Sequence, residues 1–447
     1  MSNARRDRAV VLGGGMAGLL AARVLADEFA SVTIVERDSC PTTFAQRRGV
    51  PQGHHTHGLL PLGQQIAEEL LPGITNELIT AGAVPGDILD NVRWFLNGRQ
   101  LRQTVTGLTA LSASRPLLEG MVRRRVEALS NVTILDGHDI VGLSPSADRG
   151  RIASVRVTSL YGAMSRILPA DLVIDATGRG SRTPPWLAEL GYAEPEEDRV
   201  GIDLTYASGV FELVPEVFGD DIVVVTGRYP GQLSGGVMQR LERGRVLVTL
   251  VGVLGKRPPV DPQGFCGYAQ GLAAPDTYEL VRSARPLGDA VAFRVPTYIR
   301  RRYERLTEFP AGLLVVGDAA CSFNPVYAQG MSVAAAQAVA LRSELRQGGE
   351  PDAQRFFGAV SRILDAPWAL AVGPDMALAG VTGPNLPPSP LTPEYLANLQ
   401  LAATQDADVA AAFVRVTSLV DPPSALLRPE LARRITAALG QPEPVPA

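Results

Sequence analysis

The chain has 447 residues, 46% of them hydrophobic and 20% charged, with 42 basic against 46 acidic side chains and a net charge of −4. That length exceeds one compact core and suits two interleaved domains of an ordinary globular protein. Mild acidity with no basic arm speaks against nucleic-acid binding, which needs a clustered positive footprint, and no apolar run reaches the roughly 18 residues of a membrane span.

The opening run ARRDRAVVLGGGMAGLLAARVLA imitates a secretory signal, but Gly13 to Gly15 would break a signal helix. It reads instead as a strand over Ala9–Leu12, a glycine turn, a helix from Met16 to about Phe29 and a second buried strand over Ser31–Val35. Such a βαβ start predicts a parallel sheet. Residues 41–63 form a loop rich in Gly, Pro and His, followed by a helix over Gln64–Leu71. Strand-like pieces lie at Val92–Leu96 and Leu101–Val105, a helix runs from Arg115 to about Leu129, and Val132–Leu135 is a strand. Ile152–Ser159 and Arg166–Leu168 make a two-strand pattern, and Ala170–Ile174 is a buried strand running into Asp-Ala-Thr-Gly. Residues 201–255 look antiparallel, with strands at Val223–Thr226, Gly236–Leu241 and Val246–Val253. A Pro-rich connection follows at 256–264, and the tail from about 352 is helical, broken by a Pro-rich linker at 382–393. Cys40, Cys266 and Cys321 are odd in number and widely spaced, which fits a reducing cytoplasm and neither a disulfide framework nor a zinc site.

Gly13-Gly14-Gly15-Met16-Ala17-Gly18 is GxGxxG between a strand and a helix. Gly13 allows the tight turn, Gly15 lets backbone approach a pyrophosphate, Gly18 lets helix and strand pack closely, and the helix N-terminus faces the anion. Met16 and Ala17 belong to that first turn. Glu36 ends the next strand, where its carboxylate can accept hydrogen bonds from a ribose diol, with Arg37 beside it. A second crossover is LLVVGDAACSFNPVYAQGMSVAAAQAVAL, Leu313 to Leu341. FAD is long enough to need a second strand exit for its ribityl and ring. Asp318 can accept from a ribityl hydroxyl, Gly330 admits backbone against the ring, and a helix starting near Met331 aims its positive end where reduced flavin carries charge. Taken alone, Asp318 reads as a strand-end aspartate capping the next turn.

The motif GDAACSFNPVYAQGMS resembles the GDAAHxxxPxxGxGxN motif of FAD-dependent monooxygenases of the aromatic hydroxylase type, and DLVIDATGRGSR resembles their DGxxSxxR motif. RPLLEGMVRRRV resembles the helix whose arginine, here Arg115, reaches the FAD phosphates. RRGVPQGHHTHGLL looks like the flavin epoxidases of polyether antibiotic pathways, the monensin and lasalocid type. The resemblance implies cofactor contacts at Arg47, Thr177, Gly178, Asp318, Pro325, Gly330, Met331 and Ser332. Thr177 stands where the family has an aspartate that helps to position NAD(P)H, Cys321 replaces a histidine, Ala328 a glycine and Ser332 an asparagine. NAD(P)H is therefore expected either to bind transiently or to act through a separate flavin reductase.

The resulting expectation is an α/β protein: a Rossmann-like FAD-binding domain (1–85, 113–185, 298–350) interleaved with an antiparallel-sheet substrate domain (86–112, 186–297), and a helical C-terminal region (351–447). It implies a cytoplasmic enzyme that inserts one oxygen atom of O2, through a flavin C4a-hydroperoxide, into a small apolar polyketide, terpenoid or aromatic substrate. Such chemistry needs a dry pocket, and the Val, Leu and Met alternating through 223–253 are either its wall or the core of the second domain, different residues serving each. No catalytic base stands out, and Tyr206, Tyr229 and Tyr298 read as packing residues with satisfied hydroxyls. His54, His55 and His57 lack a neighbouring carboxylate to complete a metal site, so they read as a loop packed on the cofactor. Lys256 is the sole lysine and sits in the Pro-rich connection, which argues against a halogenase. The rival readings are an FAD-dependent reductase of an isoprenoid-like double bond and a flavin-free binding protein.

Overall fold

The computed structural model of the protein describes residues 6–440 apart from Thr42, Ala163, Tyr229 and Pro230. Its fold is mixed α/β. Five parallel strands lie in the order Leu313–Val315, Leu172–Asp175, Arg6–Leu12, Phe29–Val35 and Val132–Leu135. Alternation along these strands sorts their side chains to two faces. Val11, Ile34, Ile174 and Leu314 pack with the helices Met16–Glu28 and Gly330–Leu345. Val10, Leu12, Val35, Val173 and Leu313 pack with Val155 and Val157 of a three-stranded sheet. His138–Pro145 supplies the third strand of that sheet, beyond the two predicted.

A seven-stranded sheet forms the second layer system, running from Val291–Arg301 through the long strand Glu197–Glu212 to Arg99–Gln100. It is antiparallel except where Val223–Thr226 pairs parallel with Val92–Leu96. One face carries Ala207, Val224, Met238, Val246, Val248 and Leu250 against Phe265, Ala269 and Leu280 of the helices Pro262–Gln270 and Asp276–Ser283. The other face turns Tyr206, Val251, Val295 and Tyr298 toward the parallel-sheet half.

Leu101–Val105 is not a strand. The Leu101 amide still donates to the Trp94 carbonyl of the strand Val92–Leu96 (2.8 Å), but the Arg102 amide turns away to the Ala403 carbonyl after the helix Pro393–Ala402 (2.9 Å), and the ladder stops there. The C-terminal helices, Pro393–Ala402, Ala407–Thr417 and Pro429–Ala438, bury Leu399, Val409, Val414 and Ile435 against Leu89, Val92, Leu101 and Ile222. Among the described residues no helix is long and apolar enough to cross a membrane.

Candidate active site

The sheet register lines up four strand exits. Leu12 pairs with Val35 on one side and Asp175 on the other, and Asp175 pairs with Val315. With neighbouring strands about 4.8 Å apart, the exits span about 15 Å along one edge, in the order Val315, Asp175, Leu12, Val35. In a parallel sheet this carboxyl edge is where ligands bind. The two glycine-bearing crossovers, far apart in sequence, thus open on the same edge and touch: a Cβ on Gly317 would lie 2.6 Å from Ala17 Cβ.

At the first crossover Gly13 has φ +98°, and a Cβ there would meet the Ala176 carbonyl oxygen at 2.6 Å. A Cβ on Gly18 would meet the Gly13 carbonyl oxygen at 1.9 Å, so only glycine lets the helix seat this closely on the turn. Gly15, by contrast, has nothing within 4 Å of its Cβ position. It brings no capping side chain, so the first-turn N–H groups of Met16, Ala17 and Gly18 open on that space. Met16 itself is buried and Ala17 partly so.

Glu36, 8% exposed, braces this turn: its Oε2 accepts from the Gly14 amide (2.8 Å), and its Oε1 from the Asp38 amide (2.9 Å). Arg47 Nη1 lies 3.0 Å from Glu36 Oε2, and Arg47 Nε donates to Glu119 Oε1 at 2.7 Å. Arg115 donates to Glu119 Oε2 at 2.9 Å, and Arg123 Nη2 reaches both Glu119 Oε1 (2.6 Å) and the Gly14 carbonyl (3.0 Å). Burial alone would raise the Glu119 carboxyl, but these three guanidiniums hold it below the usual range. The basic pair Arg47-Arg48 splits, Arg47 buried and Arg48 exposed. Arg37 is exposed and makes no hydrogen bond or ion pair among the described residues. Glu119 and Arg123 were not singled out in the sequence; an i, i+4 pair of opposite charge on an otherwise buried helical face was the signal for them.

At the second crossover Gly317 takes φ +65°, and its amide donates to Gln337 Oε1 at 2.5 Å, which ties the strand exit to the helix Gly330–Leu345. Asp318 stands next to that helix start, its Oδ1 3.7 Å from a Cβ on Gly330. Burial raises its carboxyl, against the pull of Arg179 and Arg115, and its oxygens make no hydrogen bond among the described residues. Met331 is buried; Pro325 is exposed at the start of the turn Pro325–Tyr327. The Ser332 hydroxyl accepts from the Leu60 amide at 3.1 Å and keeps its own proton to donate. Thr177 turns its hydroxyl to Asp175 (2.6 Å), and Gly178, at φ +80°, has open space at its Cβ position. Asp375, fully buried at the end of the helix Ala353–Met376, accepts from Asn324 Nδ2 (2.7 Å), Tyr327 OH (2.9 Å) and Tyr298 OH (2.9 Å) and pairs with Arg228. It clamps the loop between Asp318 and Gly330, and nothing local in the sequence marked it.

The sheet divides the expected apolar wall, with Val251 on the inner face beside Tyr206 and most of the others in the outer core. Met238, Val246, Val248 and Leu250 face the helices on the far side, because alternation sends Tyr206, Ser208, Thr249 and Gln239 to the opposite face, toward the parallel sheet. The histidine loop lies on this polar face. His55, 3% exposed, has Nδ1 at 2.8 Å from Ser208 Oγ, which is 2.7 Å from Thr249 Oγ1. His57 Nδ1 bonds the His55 carbonyl oxygen at 2.9 Å. Burial, aided by the Arg115 charge, pushes His57 down to about 3, and burial with the His54 charge takes His55 to about 4. Tyr298 has its hydroxyl satisfied by Asp375, Tyr206 finds no partner among the described residues, and Tyr229 lies outside them. Cys321 is 1% exposed, its thiol pushed well up by burial, and fills the core. Lys256 is exposed over the Tyr268 ring.

These residues fit FAD: an anion cradle without a side chain at Gly15, arginines at its rim, an unpartnered carboxylate at Asp318, and glycines wherever backbone must come close. The comparisons agree. Residues 9–202 match the model of the family described as FAD dependent oxidoreductase. Protein Rv3254 of Mycobacterium tuberculosis is 37% identical over 357 residues, covering 76% of this chain and 73% of that protein. A flavoprotein/dehydrogenase from Cytophaga hutchinsonii superposes with a TM-score of 0.70 at 14% identity, covering 98% of each chain. The p-nitrophenol 4-monooxygenase PnpA from Pseudomonas putida DLL-E4 does so with a TM-score of 0.65 at 16% identity, covering 94% of this chain and 100% of that one. The chain belongs to the FAD-dependent oxidoreductases.

Proposed function

We propose that the protein is an FAD-dependent monooxygenase that inserts one oxygen atom of O2 into an apolar specialised-metabolite substrate, by epoxidation or hydroxylation. The observation that carries this reading is the alignment of the two crossovers on one sheet edge, with Gly15 open at one end and the unpartnered Asp318 carboxylate at the other. Gly15, the helix start at Met16, Arg47, Arg115 and Arg123 would hold the pyrophosphate; Glu36 the ribose; Asp318 the ribityl chain; and Gly178, Gly330 and Met331 the ring. Bound FAD, once reduced, supplies the activation of O2.

The chain's own part is to orient and to exclude water. The seven-stranded sheet roofs the edge with Tyr206, Val251 and Val295, and the loop from Pro51 to Gly58 closes against Ala328. The RRGVPQGHHTHGLL segment supports the kinship with polyether epoxidases. Electrons come from NAD(P)H, directly or through a separate reductase.

The test is the purified protein mixed with NADPH, first anaerobically and then in air. A yellow protein that consumes oxygen only with substrate supports the reading, whereas turnover without oxygen assigns it to the double-bond reductases. In Asp318→Ala, loss of one charge-assisted hydrogen bond lowers FAD affinity by at least about tenfold. Full flavin content in that variant removes the ribityl assignment.

A further inference from the structure

We propose that the face of the seven-stranded sheet turned toward the parallel sheet takes an oxygenated substrate, and that His55 holds its hydroxyl or carbonyl oxygen; this rests on the monooxygenase reading above. The imidazole is almost wholly buried between the rings of Tyr206 and Phe293, with centroids 5.6 and 5.5 Å away. Its Nδ1 is bonded to Ser208, while Nε2 makes no hydrogen bond among the described residues and is not sealed in the protein interior. The neighbouring Tyr206 hydroxyl is likewise unpartnered and unsealed. The loop that carries His55 abuts the second crossover, where a Cβ on Gly58 would lie 3.1 Å from Ala328 Cβ. Nε2 is thus an open polar atom on an otherwise buried ring, free to pair with a ligand oxygen once a bound ligand displaces water from it.

The hydroxyls behind the ring let it serve either kind of oxygen. The Thr56 amide donates to Thr249 Oγ1 at 3.1 Å, so the Thr249 proton must point to Ser208 Oγ (2.7 Å) or to Thr56 Oγ1 (2.9 Å). In the first case the Ser208 proton goes to His55 Nδ1, Nε2 carries the N–H, and the ring donates to a carbonyl. In the second, Ser208 donates to Thr249 and accepts Nδ1–H, and the bare Nε2 accepts from a hydroxyl. No net charge is created in either state. Burial keeps the ring in its neutral form at neutral pH. A site built this way rejects an analogue that lacks the oxygen, since its polar atoms then stay unpaired.

The test uses the FAD-loaded full chain labelled with 15N-histidine; with four histidines in the sequence, each ring resolves. The probes are 2-naphthol and naphthalene, which differ by one hydroxyl. We expect 2-naphthol, and not naphthalene, to move the His55 Nε2 resonance. His55→Phe should weaken 2-naphthol by about fivefold to tenfold and leave naphthalene unchanged, and His55→Gln should restore most of the loss. Should the phenylalanine variant not fold, Ser208→Ala keeps the ring and releases the tautomer, so the Nδ1 resonance shifts and 2-naphthol weakens. Equal behaviour of the two probes, bound or unbound, overturns the proposal, as does a variant that weakens both alike. Flavin content, and oxygen uptake after NADPH is added, are read on the same preparations. Probe discrimination without oxygen uptake sinks the monooxygenase reading alone, and oxygen uptake without discrimination sinks the role of His55 alone.

Discussion

Glu119 is where three guanidiniums meet beside the first glycine turn, at 5% exposure. A carboxylate in that position works by neutralising its neighbours. Without it, Arg47, Arg115 and Arg123 face one another with little water to separate them. Glu119→Ala should therefore cost about 3–5 kcal/mol, read as a fall in the urea midpoint, with Glu119→Gln intermediate because it keeps the shape and loses the charge. Ala328 poses the opposite problem. It holds φ +54°, a left-handed conformation that a Cβ disfavours by about 1–2 kcal/mol. After the extra chain entropy of glycine is subtracted, Ala328→Gly should raise stability by about 0.5–1 kcal/mol, measurable in the same titration.

At the scale of elements, Asp375 joins pieces that no sheet or helix joins. Its carboxylate gathers Asn324 and Tyr327 from the loop of the second crossover, Tyr298 from the edge strand Val291–Arg301, and Arg228 from the turn after Val223–Thr226. The helix that presents it contains Pro367 and Pro374. Each proline removes a backbone donor, so this last turn is held from outside by those four side chains. Asp375→Ala leaves Arg228 buried and unpaired and should cost about 3–5 kcal/mol. Hydrogen exchange should quicken across Asn324–Gly330 and not across the glycine turn at Gly13–Gly18. Uniform quickening of both would mean that Asp375 supports the fold at large and does not clamp this loop.

For the whole molecule, the histidine loop is the seam between the parallel-sheet half and the seven-stranded sheet, and it gives the fold a pH dependence. The unfolded chain binds a proton at each imidazole near pH 6.5. In the fold His55 resists protonation until about 4 and His57 until about 3. Stability from these groups is complete above pH 6.5 and is lost as the pH falls through that window. The slope is about 1.4 kcal/mol per pH unit for each ring. Thermal melts between pH 7 and pH 4.5 should show Tm falling, and His57→Gln should flatten the fall. An unchanged slope in that variant would place the acid sensitivity elsewhere.

What the sequence determined by itself is local and backbone-driven. The strand, glycine turn and helix at Gly13–Gly18 were legible because the left-handed φ of Gly13 and the close approach at Gly18 leave no alternative residue, and the exit at Gly317-Asp318 was legible in the same way. Pairings between distant segments were not. Arg47 meets Glu119 across 72 positions and His55 meets Ser208 across 153, and no periodicity carries information over such separations. The polarity of the inner sheet face was hidden for a related reason: an alternating strand states that it has two faces, but only the packing of Phe265, Ala269 and Leu280 on one of them turns Ser208 and Thr249 toward the histidine loop. Tertiary structure decided that choice because burial belongs to a face, and a face exists only once its partner is in place.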